Sequence, residues 1–302
     1  MLKKLILVGC LTLIANSQTL LANDTSIGDE NGTIVFQQQP DISMEKETLF
    51  ISEDEVRVDY VFANTSKKYI QTRVTFPMPP IYIGLSDHNT IEDFKLWIND
   101  IEQKVNYQLV VKLKDGTDIS QTMAELGWTP SDVEAYAYEQ TLPAKKTPPP
   151  KHWFDADGTP RFTMSNYFTW TQIFPAGKSV HVRHAYRPSK YTGVPNSSAS
   201  LIKEFSKTAC IDARTQAGMK KLENKEGLNW SFISYILLTA NNWQGPIKEF
   251  ELTIKKRDAA DILSLCFGGE LKKLDPVTFV FRQLNFRPKE DINLLFIAKV
   301  KL

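Results

Sequence analysis

Hydrophobic and polar residues alternate with a period of two over most of the chain, which is the pattern of half-buried β-strands. In the segment 56–62 every second residue is apolar: Val56, Val58, Tyr60 and Phe62. The same alternation recurs at 168–174 and 180–186. Roughly a dozen short strands, separated by turns rich in Gly, Pro, Asn and Asp, therefore predict a mainly β fold.

The middle of the chain departs from this period and predicts helices. One helix is expected from Asp118 or Ser120 to Leu126, with Gly127 as its C-terminal stop. A second helix should follow at 129–140, and the proline-rich stretch after it favours an extended surface loop. We interpret residues 118–161 as an insertion between strands of one sheet.

The segment 188–200 is rich in Ser, Gly and Pro, which is typical of a boundary between domains. The sequence thus predicts two antiparallel β-sandwich-like domains with a helical insertion in the first. The N-terminal domain would comprise residues 23–195, with the helical and Pro-rich insertion at 118–161. The C-terminal domain would comprise residues 196–302 and begin with helical residues near 212–225.

The first 22 residues have the pattern of a signal peptide. Lys3 and Lys4 form a positive region, an apolar run follows at 5–15, and Ala22 is the small residue before a polar start. The run is shorter than the roughly 20 apolar residues that a transmembrane helix needs. We expect cleavage after Ala22, with Ala15 as a weaker alternative, and a periplasmic or secreted protein without a transmembrane segment.

A competing interpretation of the N-terminus is a lipobox at Leu7-Val8-Gly9-Cys10, which would make Cys10 a lipidated first residue. The apolar run continues beyond this cysteine, whereas a lipobox closes such a run. The sequence therefore favours cleavage after Ala22.

Two cysteines, Cys210 and Cys266, remain after the signal peptide, and an exported protein meets an oxidising compartment. We expect them to form one disulfide; two buried free thiols are the alternative. Closing this loop would stabilise the fold by about 4 kcal/mol in the chain-entropy treatment.

Three groups of short strings carry a family resemblance. The first is Leu49-Phe50-Ile51-Ser52 through Asn64-Thr65-Ser66 to Phe76-Pro77-Met78-Pro79; the second is Phe174-Pro175-Ala176-Gly177 with His184-Ala185-Tyr186-Arg187-Pro188; the third is Cys210-Ile211-Asp212 with 235–239, Asn242-Trp243 and Gly245-Pro246-Ile247. In this order they resemble a family of exported bacterial proteins, domain of unknown function family 4424, over essentially the whole mature chain. The resemblance implies a fold and an exported location, but it implies no catalytic residue.

Composition and charge exclude several classes of protein. Hydrophobic residues make up 42% and charged residues 24% of the chain. This is enough apolar material for a core, so the composition excludes a largely disordered chain. Lys and Arg number 36 against 35 Asp and Glu, a formal net charge of +1. This balance lacks the basic footprint of a nucleic-acid-binding protein.

The chain lacks the motifs of common enzymes and metal sites. His181 and His184 point to opposite faces of a strand and cannot hold one metal ion together. The sequence has no Gly-x-Ser-x-Gly elbow and no Gly-rich phosphate loop. We therefore expect neither enzymatic activity nor a cofactor, although a carboxylate pair assembled from distant loops would leave no signature.

The six tryptophans are the remaining clue to function. Trp128 and Trp153 flank the Pro-rich part of the insertion, where burial is least guaranteed, so we expect a contact surface there. The resulting hypothesis is an exported, non-enzymatic β-sandwich protein that makes protein or envelope contacts. The alternatives are a carbohydrate or cell-wall binding module that uses exposed Trp, and a hydrolase whose site is scattered over loops.

Overall fold

The computed structural model describes residues 24–30, 33–82, 92–129, 132–133, 136, 146–156 and 158–300. The predicted signal peptide, its cleavage after Ala22 and Cys10 lie outside the described residues. Strands dominate the described chain, which confirms the mainly β fold.

The described part of the chain contains nineteen strands, numbered here in chain order. They are β1 Thr25–Glu30, β2 Thr33–Gln37, β3 Gln39–Ser52, β4 Val56–Asn64, β5 Ile70–Pro77, β6 Ile81–Tyr82, β7 Glu92–Ile98, β8 Ile101–Gln103, β9 Asn106–Leu113, β10 Phe162–Phe174, β11 Ser179–Arg187, β12 Tyr191–Thr192, β13 Leu228–Tyr235, β14 Trp243–Gln244, β15 Ile247–Lys255, β16 Ile262–Cys266, β17 Lys272–Lys273, β18 Thr278–Phe286 and β19 Ile292–Lys299.

The helices that lie wholly within the described residues are short. They are α1 Ser120–Glu125, α2 Ser198–Phe205 and α3 Ala213–Leu222, with 3₁₀ turns at Lys151–Trp153 and Leu238–Asn242. Asp212 caps α3, because its side chain accepts a hydrogen bond from the Thr215 backbone N–H at 2.6 Å. No helix among the described residues is long and apolar enough to cross a membrane.

The strands form three sheets in the described chain. The first has six strands in the order β2-β1-β5-β10-β6, with β9 paired to β10. The second has nine strands in the order β17-β18-β15-β3-β4-β11-β7-β8, with β14 paired to β3. The third has four strands in the order β12-β13-β19-β16. We call them the first, the nine-stranded and the third sheet.

The nine-stranded sheet joins the two predicted segments of the chain. Strands β3 and β15 pair in parallel, with Thr48 opposite Glu251 and Phe50 opposite Thr253. The sheet therefore takes strands from both sides of residue 195, and the division there stays a prediction. The inner face of this sheet packs against both other sheets, because buried residues such as Tyr60, Phe76 and Tyr235 belong to one main core.

The described residues of the insertion form a small core of their own against β9 and β10. Its buried members are Leu109, Val111, Ile119, Met123, Trp128, Val133, Tyr136, Trp153, Phe162 and Met164. Helix α1 ends at Glu125, and Gly127 follows with φ +81°, the left-handed conformation that stops a helix. Most of the second predicted helix lies outside the described residues.

The disulfide between Cys210 and Cys266 is confirmed, with the two Cα atoms 4.9 Å apart. It joins the segment before α3 to β16, at the edge of the third sheet. A structural disulfide fits a protein that folds in an oxidising compartment.

Candidate functional site

The candidate site is a depression on the outer face of the nine-stranded sheet. Strand alternation produces it: in β4, Val58 and Tyr60 point into the core, whereas Arg57 and Asp59 point outward. In β11 the neighbouring outward residues are Arg183 and Ala185. The outer face of these central strands is therefore polar, while the inner face is apolar.

Strand register assembles the depression from residues that are distant in sequence. One row across the sheet contains Thr48, Asp59, Arg183 and Trp97, each directly opposite the next. The adjacent row contains Thr253, Phe50, Arg57 and Ala185.

Together with Glu55, these two rows line a cavity of about 590 Å³ that is open to solvent. Because the side chain of Ala185 is only a methyl group, it leaves space between the larger side chains that line the cavity.

Both arginines of the depression lie against aromatic rings. Arg57 Cζ is 4.6 Å from the centroid of Phe50, and Arg183 Cζ is 4.6 Å from the centroid of Trp97. A guanidinium over a ring face is stabilised by the ring quadrupole, by roughly 0.5–1 kcal/mol at an exposed site. These contacts orient the two guanidiniums within the depression.

The charges around the depression balance. Arg57 Nε lies 3.6 Å from Glu55 Oε2, and Arg183 Nη1 lies 3.7 Å from the exposed Asp100. Asp59 Oδ1 lies 3.3 Å from His181 Nε2 on the neighbouring strand. Among the described lining residues there are two guanidiniums and two carboxylates, so the cavity offers donors and acceptors in similar number.

The inner face of the same strands carries a buried polar cluster. His184 Nε2 lies 3.0 Å from Asp24 Oδ1, and the two side chains are 0% and 1% exposed. The imidazole is surrounded by the rings of Phe76, Phe94 and Trp170 at 5.1–5.3 Å.

Burial raises the pKa of the Asp24 carboxyl, and the neighbouring His184 opposes that rise. This pair is closed off from solvent and therefore holds the fold together rather than meeting a ligand.

Two tyrosines extend the buried cluster. The hydroxyls of Tyr60 and Tyr235 lie 3.2 Å apart and join β4 to β13 of the third sheet. Burial raises the pKa of both phenols, so both stay neutral near pH 7. Trp243 Nε1 also donates to the Asp24 carbonyl, at 2.6 Å. Asp24, the residue before β1, is thus tied to β11 and to β14.

A second, larger cavity of about 730 Å³ lies where the β3–β4 turn meets the third sheet. Its charged groups bind one another: Arg257 Nε donates to Asp54 at 3.0 Å, and Ser231 Oγ donates to Glu53 at 2.7 Å. The hydrogen bond from Arg257 lowers the pKa of Asp54. This network cross-links the turn to the third sheet.

The expectation of an exposed contact surface at Trp128 and Trp153 requires a correction. Both indoles are 4% exposed and belong to the small core of the insertion. Trp128 Nε1 donates to the Thr147 carbonyl at 2.9 Å, which satisfies its polar atom. In the described part of the Pro-rich segment, the Pro150 carbonyl also accepts a hydrogen bond from the Trp153 backbone N–H at 2.9 Å. Because both rings are buried, neither is available to a partner.

Trp97 is the tryptophan that remains partly exposed. Trp128, Trp153, Trp170, Trp230 and Trp243 are all buried, at 9% exposure or less. The alternation of β7 contained the signal for Trp97, because Leu96 is apolar and buried and Lys95 is exposed. What the alternation could not show is that Arg57, Asp59 and Arg183 would lie beside it, since that depends on strand order.

The expected opposite orientation of His181 and His184 agrees with the structure: one lies at the surface and the other in the core. Within the described ranges, no group of three or more His, Cys, Asp or Glu side chains could hold a metal ion.

A family model described as a domain of unknown function, DUF4424, matches residues 22–295. The chain belongs to this family, as the resemblance in its sequence indicated. No curated protein matches the sequence.

Several solved structures resemble the fold at low sequence identity. A Legionella pneumophila protein, provisionally described as a nutrient-binding protein, is 14% identical with a TM-score of 0.47, covering 91% of this chain and 70% of that one. Native yeast LTA4 hydrolase is 10% identical with a TM-score of 0.32, covering 85% and 29%. An M1 zinc metallopeptidase from Deinococcus radiodurans is 9% identical with a TM-score of 0.27, covering 86% and 43%. The chain thus spans less than half the length of either of the last two proteins.

Proposed function

We propose that this protein is an exported, non-catalytic binding protein that recognises a neutral saccharide of the bacterial envelope in the depression over Ala185. One observation carries the proposal: the one partly exposed tryptophan, Trp97, lies in a cavity lined by two guanidiniums and two carboxylates. Export is supported by the signal-peptide pattern of residues 1–22 and by the disulfide.

The chemistry of the cavity favours a polyhydroxylated ligand. A sugar hydroxyl both donates and accepts hydrogen bonds, so it can use guanidinium N–H groups and carboxylate oxygens at once. A charged ligand of either sign would meet as many like charges as opposite ones. Phe50 and Trp97 each have one ring face against a guanidinium, and the rest of their apolar surface suits the C–H faces of a sugar ring.

The arrangement of carboxylates supports binding rather than hydrolysis. Glycoside hydrolysis needs two carboxyl groups on either side of the scissile bond, one of them acting as a general acid. Here Glu55 Oε2 lies 3.6 Å from Arg57 Nε and Asp59 Oδ1 lies 3.3 Å from His181 Nε2, so each carboxylate is already engaged by a neighbouring side chain. The insertion at 118–161 remains a further candidate surface for protein contacts, but not through Trp128 or Trp153.

The test is a binding screen with the mature protein. Neutral oligosaccharides built from N-acetylglucosamine, glucose, mannose or galactose would be compared with an acidic one, polygalacturonate, on a glycan array and then by calorimetry. We expect binding to one neutral series with little dependence on salt, because no net charge is neutralised.

The variants Trp97→Ala and Arg183→Ala should weaken that binding at least tenfold. The matched control is Arg187→Ala, which removes an exposed arginine of the same strand that pairs with Glu92 and Asp93 outside the depression. Failure of every neutral saccharide to bind, or equal loss in the control, would contradict the proposal. A turnover of any bound saccharide would contradict the non-catalytic part.

A further inference from the structure

A second depression lies beside the candidate site on the same outer face. It has a volume of about 200 Å³ and is lined by residues of β3, β15 and β18, among them Lys46, Glu249, Glu251, Arg282 and Leu284. Arg282 Nε donates to Glu251 Oε2 at 2.7 Å. Leu284 is 71% exposed, although it is a large apolar side chain on a strand.

The two depressions adjoin, because they share two strands. On β15, Thr253 lines the first and Glu251 lines the second; on β3, Thr48 lines the first and Lys46 the second. Residues two positions apart on one face of a strand are about 7 Å apart, so the two cavities are immediate neighbours.

The second depression repeats the chemistry of the first. Its described lining holds two cations, Lys46 and Arg282, and two carboxylates, Glu249 and Glu251. It also presents an exposed apolar side chain, Leu284, as the first presents Trp97. Two neighbouring cavities with the same balance of donors, acceptors and apolar surface suit a ligand whose units repeat.

We infer that the ligand is an oligosaccharide chain that lies across the strands and occupies both depressions, with Arg282 and Leu284 forming a second sugar-binding subsite. This inference rests on the proposed function and specifies its ligand as a polymer. The path crosses six neighbouring strands, from β7 through β11, β4, β3 and β15 to β18. With strands about 4.8 Å apart, it is about 24 Å long, which exceeds the length of a disaccharide.

The experiment measures how affinity depends on chain length. Calorimetry would compare the disaccharide through the hexasaccharide of the neutral series that binds best, taking N-acetylglucosamine oligomers as the first probe. We expect affinity to rise at least tenfold with length and then to level off once both depressions are filled. A length-independent affinity would overturn the inference while leaving the proposed function intact.

Two variants separate the subsites. Arg282→Ala and Leu284→Ser should abolish most of the increase in affinity with oligosaccharide length. They should leave the affinity for the disaccharide within twofold of the wild type. Both side chains are exposed, so folding should be unaffected, which a thermal melt would verify. Arg187→Ala again serves as the control and should change neither quantity.

The outcomes distinguish this inference from the proposed function. If the Arg282→Ala and Leu284→Ser variants show the same increase in affinity with oligosaccharide length as the wild type, the second subsite is refuted. If Arg183→Ala fails to weaken the disaccharide, or no saccharide binds, the proposed function fails and this inference fails with it.

Discussion

The two faces of strands β4 and β11 differ in what burial does to similar side chains. On the inner face, His184 forms a hydrogen bond with Asp24, and the pair is closed off among aromatic rings. On the outer face, His181 and Asp59 lie at a similar separation, but both are more than one-third exposed. A His–Asp pair therefore lies on each face of β11, in two dielectric environments, with Asp59 supplied by β4 and Asp24 by the residue before β1.

This difference teaches that environment, not residue type, assigns the role. In water the interaction between His181 and Asp59 is screened, so this pair contributes little to stability and its atoms can meet a ligand. Inside the core, neither member of the His184–Asp24 pair can lose its partner without leaving a polar group buried. The inner pair serves the fold, whereas Asp59 of the outer pair lines the proposed binding site.

The largest expected effect is on stability at the inner face. His184→Leu removes the partner of a buried carboxyl and should lower the free energy of unfolding by about 3–5 kcal/mol. His181→Leu on the outer face of the same strand should change it by at most about 1 kcal/mol. Urea denaturation of both variants checks this prediction. If both variants lost a similar amount of unfolding free energy, burial would not explain a difference between the two faces.

A smaller expected effect is on the pH dependence of stability. Burial raises the pKa of Asp24, and His184 offsets only part of that rise. Since the folded-state pKa of Asp24 is raised, the native state binds its proton more tightly than the unfolded state does. Stability should therefore fall as the pH rises from about 4 through the raised pKa.

The Asp24→Asn variant cannot titrate at this position and serves as the matched control. The difference in unfolding free energy, wild type minus Asp24→Asn, should decline with rising pH. Denaturant titrations of both proteins at several pH values measure it. Parallel stability curves would refute the raised pKa.

Tyr235→Phe should have a more modest effect. It deletes one side of the buried hydroxyl contact with Tyr60 and should cost about 1 kcal/mol. The control is Tyr69→Phe, an exposed tyrosine that is 59% accessible, for which we expect no measurable change. Denaturant midpoints compared at constant m-value provide the measurement. An unchanged midpoint for Tyr235→Phe would show that the hydroxyl contact with Tyr60 does not stabilise the core.

The smallest expected change in stability is at the site itself. Arg183→Ala removes a ring contact and a long, exposed ion pair, so it should cost at most about 1 kcal/mol. Its loss of saccharide binding should nevertheless be at least tenfold. A calorimetric melt beside the binding assay tests both. A variant that lost several kcal/mol would show that the outer face also holds the fold together.

Much of the local structure could be predicted from the sequence. The strands at 56–62, 168–174 and 180–186, the stop at Gly127 and the disulfide between Cys210 and Cys266 were all expected and are present. Each depends on local periodicity, on a backbone requirement or on a simple count, and none requires knowledge of which strands pair.

The candidate site could be predicted only in part. Alternation indicated that Arg57, Asp59 and Arg183 point away from the core, but not that they meet Trp97. The expectation for Trp128 and Trp153 was wrong because packing against β9 and β10 buries them, although their surroundings in sequence are polar and proline-rich.

The sequence by itself determined the strand pattern, the disulfide, the family and which side chains face outward, because these follow from period, composition and short strings. Only the tertiary structure decided strand order and register. These place Thr48, Asp59, Arg183 and Trp97 in one row although their four strands are spread over residues 39–187. The physical reason is that strands pair through backbone hydrogen bonds common to all residues, so the choice of neighbour is made by packing of the whole core.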